Sequence, residues 1–247
     1  MTTYRTAEVA EIIGIHPNTV RLYEKLKLIS KPERLSNGYR IFTDLHIQQC
    51  RLVRIAYQVE ILQNGLRKKI TAIIKTCATG DFDTAVLLTD EYLNQIERER
   101  TNAEEAVEIV KQLLSCPNVT NTQYLKLKEV SKVVGVSTDS IRNWEMNGLI
   151  TAKRKENRYR IYTDDDVQRL KVIRTLRCAN YSLEAILRLL NQLSKNPDTD
   201  IIVTLNTPKQ SDDIVSVCDR LIVSLSAAEK NAYRMREMLT NMKNKGV

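Results

Sequence analysis

The residues of this chain best suited to chemistry are arginines and aromatics at fixed spacing, and they occur twice. Val20-Arg21-Leu22-Tyr23-Glu24 precedes Ser36-Asn37-Gly38-Tyr39-Arg40-Ile41-Phe42-Thr43, and Ile141-Arg142-Asn143-Trp144-Glu145 precedes Asn157-Arg158-Tyr159-Arg160-Ile161-Tyr162-Thr163. A guanidinium offers a planar fork of donors that matches a phosphate, and an aromatic ring can lie against a sugar-phosphate backbone. Such a set grips a polyanion and breaks no bond. No paired catalytic carboxylates, no nucleophile beside a base and no phosphate-binding glycine loop accompany it. The expectation is a binding protein with no enzyme activity and no cofactor.

The duplication runs beyond these residues. Val9 aligns with Val130, Gly14 with Gly135, Arg21 with Arg142 and Glu24 with Glu145, an offset of 121, which becomes 120 at Tyr39 and Tyr159. One residue of drift over such a span means two copies of one domain. A chain of 247 residues has room for two modest cores.

Charge separates the copies from what joins them. Lys and Arg exceed Asp and Glu by 7 in residues 1–80 and again by 7 in 118–196; residues 81–117 carry −6 and 197–247 are neutral. A polyanionic partner touching both repeats is the simplest reading. No apolar run reaches membrane-spanning length, and the N-terminus lacks the apolar core of a signal peptide. The five cysteines, Cys50, Cys77, Cys116, Cys178 and Cys218, are odd in number with no CxxC pair, which suits free thiols in the cytoplasm. All five are expected to be buried structural thiols, and His46 to lie on a helix surface.

The elements that must position the arginines follow from periodicity. Val9, Ile12 and Ile13 give a helical face over Thr6 to Ile13, broken at Gly14-Ile15-His16. Pro17 suits the first position of a second helix running to about Lys25, with Val20 and Leu22 to Tyr23 as its inner edge. Two short helices meeting at a glycine-containing turn read as helix-turn-helix. Leu28-Ile29 and Tyr39 to Phe42 flank an Asn37-Gly38 turn, which predicts a hairpin, or wing. A helix then starts at Thr43-Asp44, matched by Thr163 and three aspartates. A further helix spans about Leu62 to Thr76, and a break follows at Thr79-Gly80.

Residues 81–115 carry apolar positions at Val86, Leu93, Ile96, Ala103, Val107, Val110 and Leu114, interrupted by Arg100. Residues 211–244 carry Ile214, Val217, Leu221, Ala228, Met235, Met238 and Met242, with Ser224 and Asn231 polar. Steps of three and four predict coiled-coil seams, each needing a partner. The expected layout is an N-terminal winged helix-turn-helix over 1–80, a long helix over 81–115 and a linker over 116–123. A second winged helix-turn-helix over 124–196 and a C-terminal linker and helix over 197–247 complete it. The linker reaches about 35 Å and the first long helix about 50 Å. The long helices of one chain are expected to pair as a coiled coil, with Arg100 opposite Ala228. The fold class is mainly α, two winged helix-turn-helix domains each followed by auxiliary helices and a long helix.

This order of elements resembles the mercury-resistance-regulator (MerR) family of bacterial transcription factors. Gly14, Thr19 to Glu24 and Asn37-Gly38-Tyr39-Arg40 carry the resemblance, which covers nearly the whole chain taken twice. Copy two departs from the pattern at Asn143-Trp144 and at Arg158, which replaces the wing-turn glycine; copy one has Lys27 where copy two has Gly148. The resemblance implies binding of double-stranded DNA at promoters with overlong spacing between the −35 and −10 elements. It also implies that the long helices pair as an antiparallel coiled coil, that the DNA is bent and untwisted, and that RNA polymerase is a partner. Related winged helices bend DNA in phage excision and plasmid maintenance, an architectural role that stands as the alternative. The chain is expected to act as a monomeric pseudo-dimer on an imperfect inverted repeat, with a homodimer possible and no membrane partner.

Within that frame each copy supplies contacts. His16, Asn18 and Thr19 open the first recognition helix, with Ser137, Asp139 and Ser140 as counterparts. Arg21 and Arg142 are expected on phosphates, with Tyr23 and Trp144 against the sugar-phosphate backbone. Arg40, Arg160, Arg158, Lys153, Arg154 and Lys155 add wing contacts beside Asn37. Tyr39 and Tyr159 serve either as contacts or as hairpin core. Family metal sensors place cysteines near the positions of Cys77 and Cys116, but a soft-metal site needs two or more converging thiolates, and no metal is expected. No drug-binding domain is expected after the last helix.

Overall fold

The computed structural model describes residues 2–58, 65–115, 124–154, 159–207 and 220–244. The chain divides into two compact units, Met1–Arg98 with Leu225–Val247, and Glu99–Ser224. Both are mainly helical, and each contains one winged helix-turn-helix.

In the first unit, α1 (Thr6–Ile13) follows β1 (Thr3–Tyr4) and begins where the Glu8 carboxylate accepts from the Arg5 backbone N–H at 2.6 Å. It stops at Gly14, whose φ of +71° is the left-handed conformation that glycine adopts without a Cβ clash. The helix α2 (Pro17–Lys25) starts with proline at its first position, where no N–H is needed. Three antiparallel strands form the wing in the order β1, β3 (Arg40–Thr43), β2 (Glu33–Arg34). Thr3 pairs with Thr43, Tyr4 with Phe42, Glu33 with Ile41, and Arg34 with Arg40.

The wing differs from the sequence expectation on its first arm. Leu28 and Ile29 form no strand; they are buried core residues under the helix-turn-helix, joined by Val9, Val20 and Phe42. The paired arm is Glu33–Arg34, whose charges gave no strand signal. Leu22 also departs: it is 47% exposed, because only Val20 and the Tyr23–Glu24 side of the helix face inward.

Behind the wing lie α3 (Asp44–Ala56) and α4 (Leu66–Ala78). His46 corrects a second expectation. It is buried, not on the helix surface, and its Nδ1 accepts from the Thr43 backbone N–H at 3.0 Å, capping α3. Burial lowers its pKa, against the opposing pull of Glu24 and of the Lys31 backbone. The folded state then holds fewer protons than the unfolded state below the ordinary histidine range of about 6.5. Stability should therefore fall as pH drops through that range. His46→Gln, which keeps an acceptor, should flatten the loss between pH 7.5 and 5.5 in denaturant titrations; an unchanged pH slope would remove the assignment.

The second unit repeats the plan. β4 (Leu125–Lys126) leads to α6 (Leu127–Val134), Gly135 (φ +71°) and α7 (Thr138–Met146). β5 (Lys153–Arg154) and β6 (Arg160–Tyr162) complete a sheet in the order β4, β6, β5. Then come α8 (Asp164–Cys178), α9 (Leu183–Leu193) and α10 (Ile201–Asn206). Asp166 replaces His46 at the start of α8, its carboxylate accepting from the Thr163 N–H at 2.8 Å. Val130, Ile141, Leu149, Tyr162 and Leu170 are fully buried.

The long helices are α5 (Phe82–Ser115), between α4 and β4 in the chain, and α11 (Leu221–Asn244). The buried stripe on α5 is Phe82, Ala85, Thr89, Tyr92, Ile96, Ala103, Ala106, Val107 and Val110. The three-four rhythm holds, but over the first half its phase is one residue earlier than Val86 and Leu93 suggested, and Leu114 is exposed. Thr89 hid the true phase: its hydroxyl donates to the Ala85 carbonyl and so tolerates burial. On α11 the stripe is Leu221, Ser224, Leu225, Ala228, Asn231, Ala232, Met235, Leu239 and Met242, with Leu239 where Met238 was expected. Ile214, Val217, Cys116 and Cys218 lie outside the described residues, as does the linker 116–123.

In the first unit Arg236 Nε donates to Asp90 at 2.6 Å, Lys243 pairs with Asp83, and Asn231 donates to the Ile55 carbonyl at 3.4 Å. In the second, Tyr181 donates to the Ala103 carbonyl at 3.4 Å and Gln168 to that of Leu113. Burial pushes the thiols of Cys50 and Cys77 up to about 12, so both are neutral and inert at ordinary pH. Cys178 is exposed, against the expectation that all five would be buried. No described helix is long and apolar enough to cross a membrane.

Candidate nucleic-acid interface

The geometry starts at the turn of each helix-turn-helix. Arg54, reaching back from α3, donates to the carbonyls of Ile13 at 2.5 Å and Gly14 at 3.4 Å. Arg174 lies against the matching Gly135, within 3.6 Å of where a Cβ would stand. The first turn is thereby tied to the helix behind it, and the second has the matching arginine beside it. Sequence reasoning missed both arginines; their shared offset of 120 was the available signal.

The start of each recognition helix is capped by a residue expected to touch DNA. His16 Nδ1 accepts from the Asn18 N–H at 3.1 Å, and Ser137 Oγ accepts from the Ser140 N–H at 3.0 Å. Their first task is helix initiation. Thr19 and Ser140 are half-buried, whereas Asn18, Asp139, Arg21 and Arg142 are exposed. Arg21 donates to the neutral Asn18 side chain at 2.5 Å. Arg142 instead pairs with the Asp139 carboxylate at 2.8 Å. One turn therefore presents a whole positive charge and the other a largely neutralised pair.

Each wing is fastened to its recognition helix through a glutamate. Arg40 Nε meets Glu24 at 2.5 Å, and Arg34 joins it at 3.5 Å. Arg160 Nε meets Glu145 at 2.6 Å, and Arg154 lies at 3.9 Å. Arg40 and Arg160 are thus clamp residues first, which the sequence reading did not anticipate although it aligned the two glutamates. Glu24→Gln is expected to cost about 1 kcal/mol of stability, within the range for a charged hydrogen bond near the surface. It should also weaken DNA binding despite adding positive charge, because the wing loses its anchor. A tighter complex would show instead that Glu24 holds phosphate ligands in reserve.

The remaining expected residues divide by exposure. Tyr39 (68%) and Tyr159 (70%) stand out from their wings, so they are not hairpin core. Asn37 is exposed, and its side-chain oxygen accepts from the Tyr39 N–H at 3.1 Å, shaping the turn. Lys153 and Arg154 are exposed; Arg158 and Lys155 lie outside the described residues. Tyr23 is half-buried and Trp144 is 7% exposed, so the indole belongs to the second unit's interior and cannot lie flat on a backbone. No cluster of three or more metal-ligating side chains occurs among the described residues.

Each unit therefore holds a winged helix-turn-helix whose turn, recognition helix and wing are locked together, the layout of a DNA-binding module. The family model for MerR family regulatory proteins matches residues 5–42, and that for MerR HTH family regulatory proteins matches 125–193. The chain is 25% identical over 122 residues to the mercuric resistance operon regulatory protein of Bacillus cereus, covering 46% of this chain and 92% of that one. It is 29% identical over 99 residues to the HTH-type transcriptional regulator CueR of Yersinia pestis, covering 38% and 71%. To the HTH-type transcriptional regulator ZntR of Escherichia coli strain K12 it is 39% identical over 68 residues, covering 28% and 48%. No solved structure matches. The chain carries two tandem MerR-like domains, the module of a family of DNA-binding transcriptional regulators that are not enzymes.

Proposed function

We propose that the chain binds an imperfect inverted repeat in promoter DNA as an intramolecular pseudo-dimer, one domain on each half-site, and bends or untwists the duplex for RNA polymerase. The observation that carries this reading is the duplicated clamp: Arg40 and Arg34 on Glu24, and Arg160 and Arg154 on Glu145. Two separately built reading heads in one polypeptide need no second chain to recognise two half-sites. Their unlike recognition turns, Asn18-Thr19 against Asp139-Ser140, make the half-sites unlike too.

The domain limits proposed are residues 1–80 and 124–196 for the two heads, with 81–115 and the C-terminal helix as the rod. Support for antiparallel pairing within one chain comes from Arg236 with Asp90 and Lys243 with Asp83, where position rises on one helix as it falls on the other. On DNA, Arg21 and Arg142 serve as phosphate contacts, together with the wing residues Tyr39, Tyr159 and Lys153. Asn18, Thr19, Asp139 and Ser140 face base edges. Phosphate contacts at both ends would supply the energy for the bend.

Selecting bound sites from random DNA tests the reading, paired with the mass of free and bound protein. The expected result is an inverted repeat with unequal halves bound by one chain. A perfectly symmetric site bound by two chains would overturn the pseudo-dimer, and broad coverage without a preferred site would favour an architectural role.

A further inference from the structure

Beside the first recognition helix lies a recess of about 700 Å³ lined by Arg21, Lys25, Lys27, Lys31, Arg40 and Lys75, with Ile29, Ala78 and Thr79 among its walls. The carboxylate lining it is Glu24, already engaged by Arg40 and Arg34. None of the four lysines makes an ion pair among the described residues. Four ammonium groups around one cavity repel each other.

The second copy shows that the fold does not require this arrangement. At the same offset Lys25 becomes Met146, Lys27 becomes Gly148 and Lys31 becomes Ala152. Gly148 has φ +74°, and Lys27 occupies the same left-handed region at φ +56°. A lysine there is disfavoured relative to glycine, by roughly 1 kcal/mol. The first copy thus holds a lysine in a strained conformation where its twin relaxes to glycine, and the lysine faces the recess. Retained strain of this kind points to a ligand.

We propose that this recess binds a small molecule carrying clustered phosphates, of the pyrophosphate or nucleoside-polyphosphate class. Its volume lies within the range of small-molecule sites. Four lysines and the Arg21 guanidinium supply donors for two or more phosphoryl groups, while the Ile29 and Ala78 wall accepts an apolar or planar remainder. Because Arg21 belongs to both surfaces, the bound anion competes with DNA at the first head and leaves the second head free. The competition rests on the function proposed above; the site itself does not.

The test uses the full chain without DNA, titrated calorimetrically with inorganic pyrophosphate at ionic strength held constant with chloride. The triple variant Lys25→Met, Lys27→Gly, Lys31→Ala installs the second copy's residues, so the backbone it needs already exists in this protein. Lys128→Ala, Lys132→Ala, Lys195→Ala removes the same charge elsewhere and serves as control. One saturable site is expected, weakened at least ten-fold in the first variant and less than two-fold in the control. No saturable binding, or equal loss in both variants, would overturn the proposal. Saturable binding by a chain that ignores DNA would sustain the site and remove the proposed function alone. If DNA is bound but not displaced by saturating pyrophosphate, the shared use of Arg21 is wrong.

Discussion

Trp144→Ala is expected to destabilise the second unit by about 3–5 kcal/mol, the usual loss when a buried tryptophan leaves a cavity. The indole is 7% exposed and is the chain's only tryptophan. It lines a recess with Val136, Arg174 and Leu183, between the turn of the helix-turn-helix and the helices behind it. Removing it takes the support from under the second recognition helix. Tyr23, its counterpart in the first unit, is half-buried, so Tyr23→Ala should cost roughly half as much. Chemical denaturation followed by circular dichroism measures both. A loss below about 1 kcal/mol for Trp144→Ala would contradict the burial and return the indole to the DNA-facing surface.

What the sequence made legible was whatever has a short period or an obligatory residue. Gly14 and Gly135 marked the turns, Pro17 the start of a recognition helix, Asn37-Gly38 a wing tip, and Thr43 and Thr163 the next helix starts. Each of those signals is local, and the repeat doubled its weight. The phase of α5 was not legible because a heptad seam is usually read from apolar residues. Here Thr89 is buried by satisfying its hydroxyl within its own helix, while Val86 is only half-buried. Leu28 and Ile29 looked like strand because two β-favouring apolar residues beside a turn often are, yet tertiary burial claimed them. His46 and Trp144 misled in opposite directions. A histidine on a polar helix start was buried as a cap, and an aromatic in a recognition helix was buried as core.

The candidate interface was legible in composition but not in pairing. The wing arginines and the two glutamates were all visible, and their offset was visible too. Which carboxylate each arginine meets depends on how the hairpin folds back over the helix, a contact 15 or 16 residues away that no periodicity encodes. The consequence is a division of labour. Arg40 and Arg160 orient the wing, whereas Arg21, Arg142, Tyr39 and Tyr159 are exposed on the recognition helices and wings.

That division sets unequal expectations for the two recognition-helix arginines. Arg21→Ala should weaken DNA binding about equally across sequences and reduce the magnitude of the salt slope by about 0.9, the value for one lost phosphate contact. Arg142→Ala should do less, because Arg142 is already paired with Asp139 at 2.8 Å, whereas Arg21 rests on the neutral Asn18. A carboxylate beside the phosphate path also repels the backbone directly, at a distance where screening by salt is incomplete. Asp139→Asn copies the first head's residue into the second and is therefore expected to tighten binding and steepen the salt slope. Fluorescence anisotropy on one duplex between 50 and 200 mM salt (a range that changes affinity strongly) compares all three variants. Equal losses for Arg21→Ala and Arg142→Ala, with no gain from Asp139→Asn, would show that the Asp139 pair opens on DNA and that the two heads contribute alike. The unequal result would instead place the stronger phosphate grip on the first domain, the one whose recess gathers Lys25, Lys27, Lys31 and Lys75.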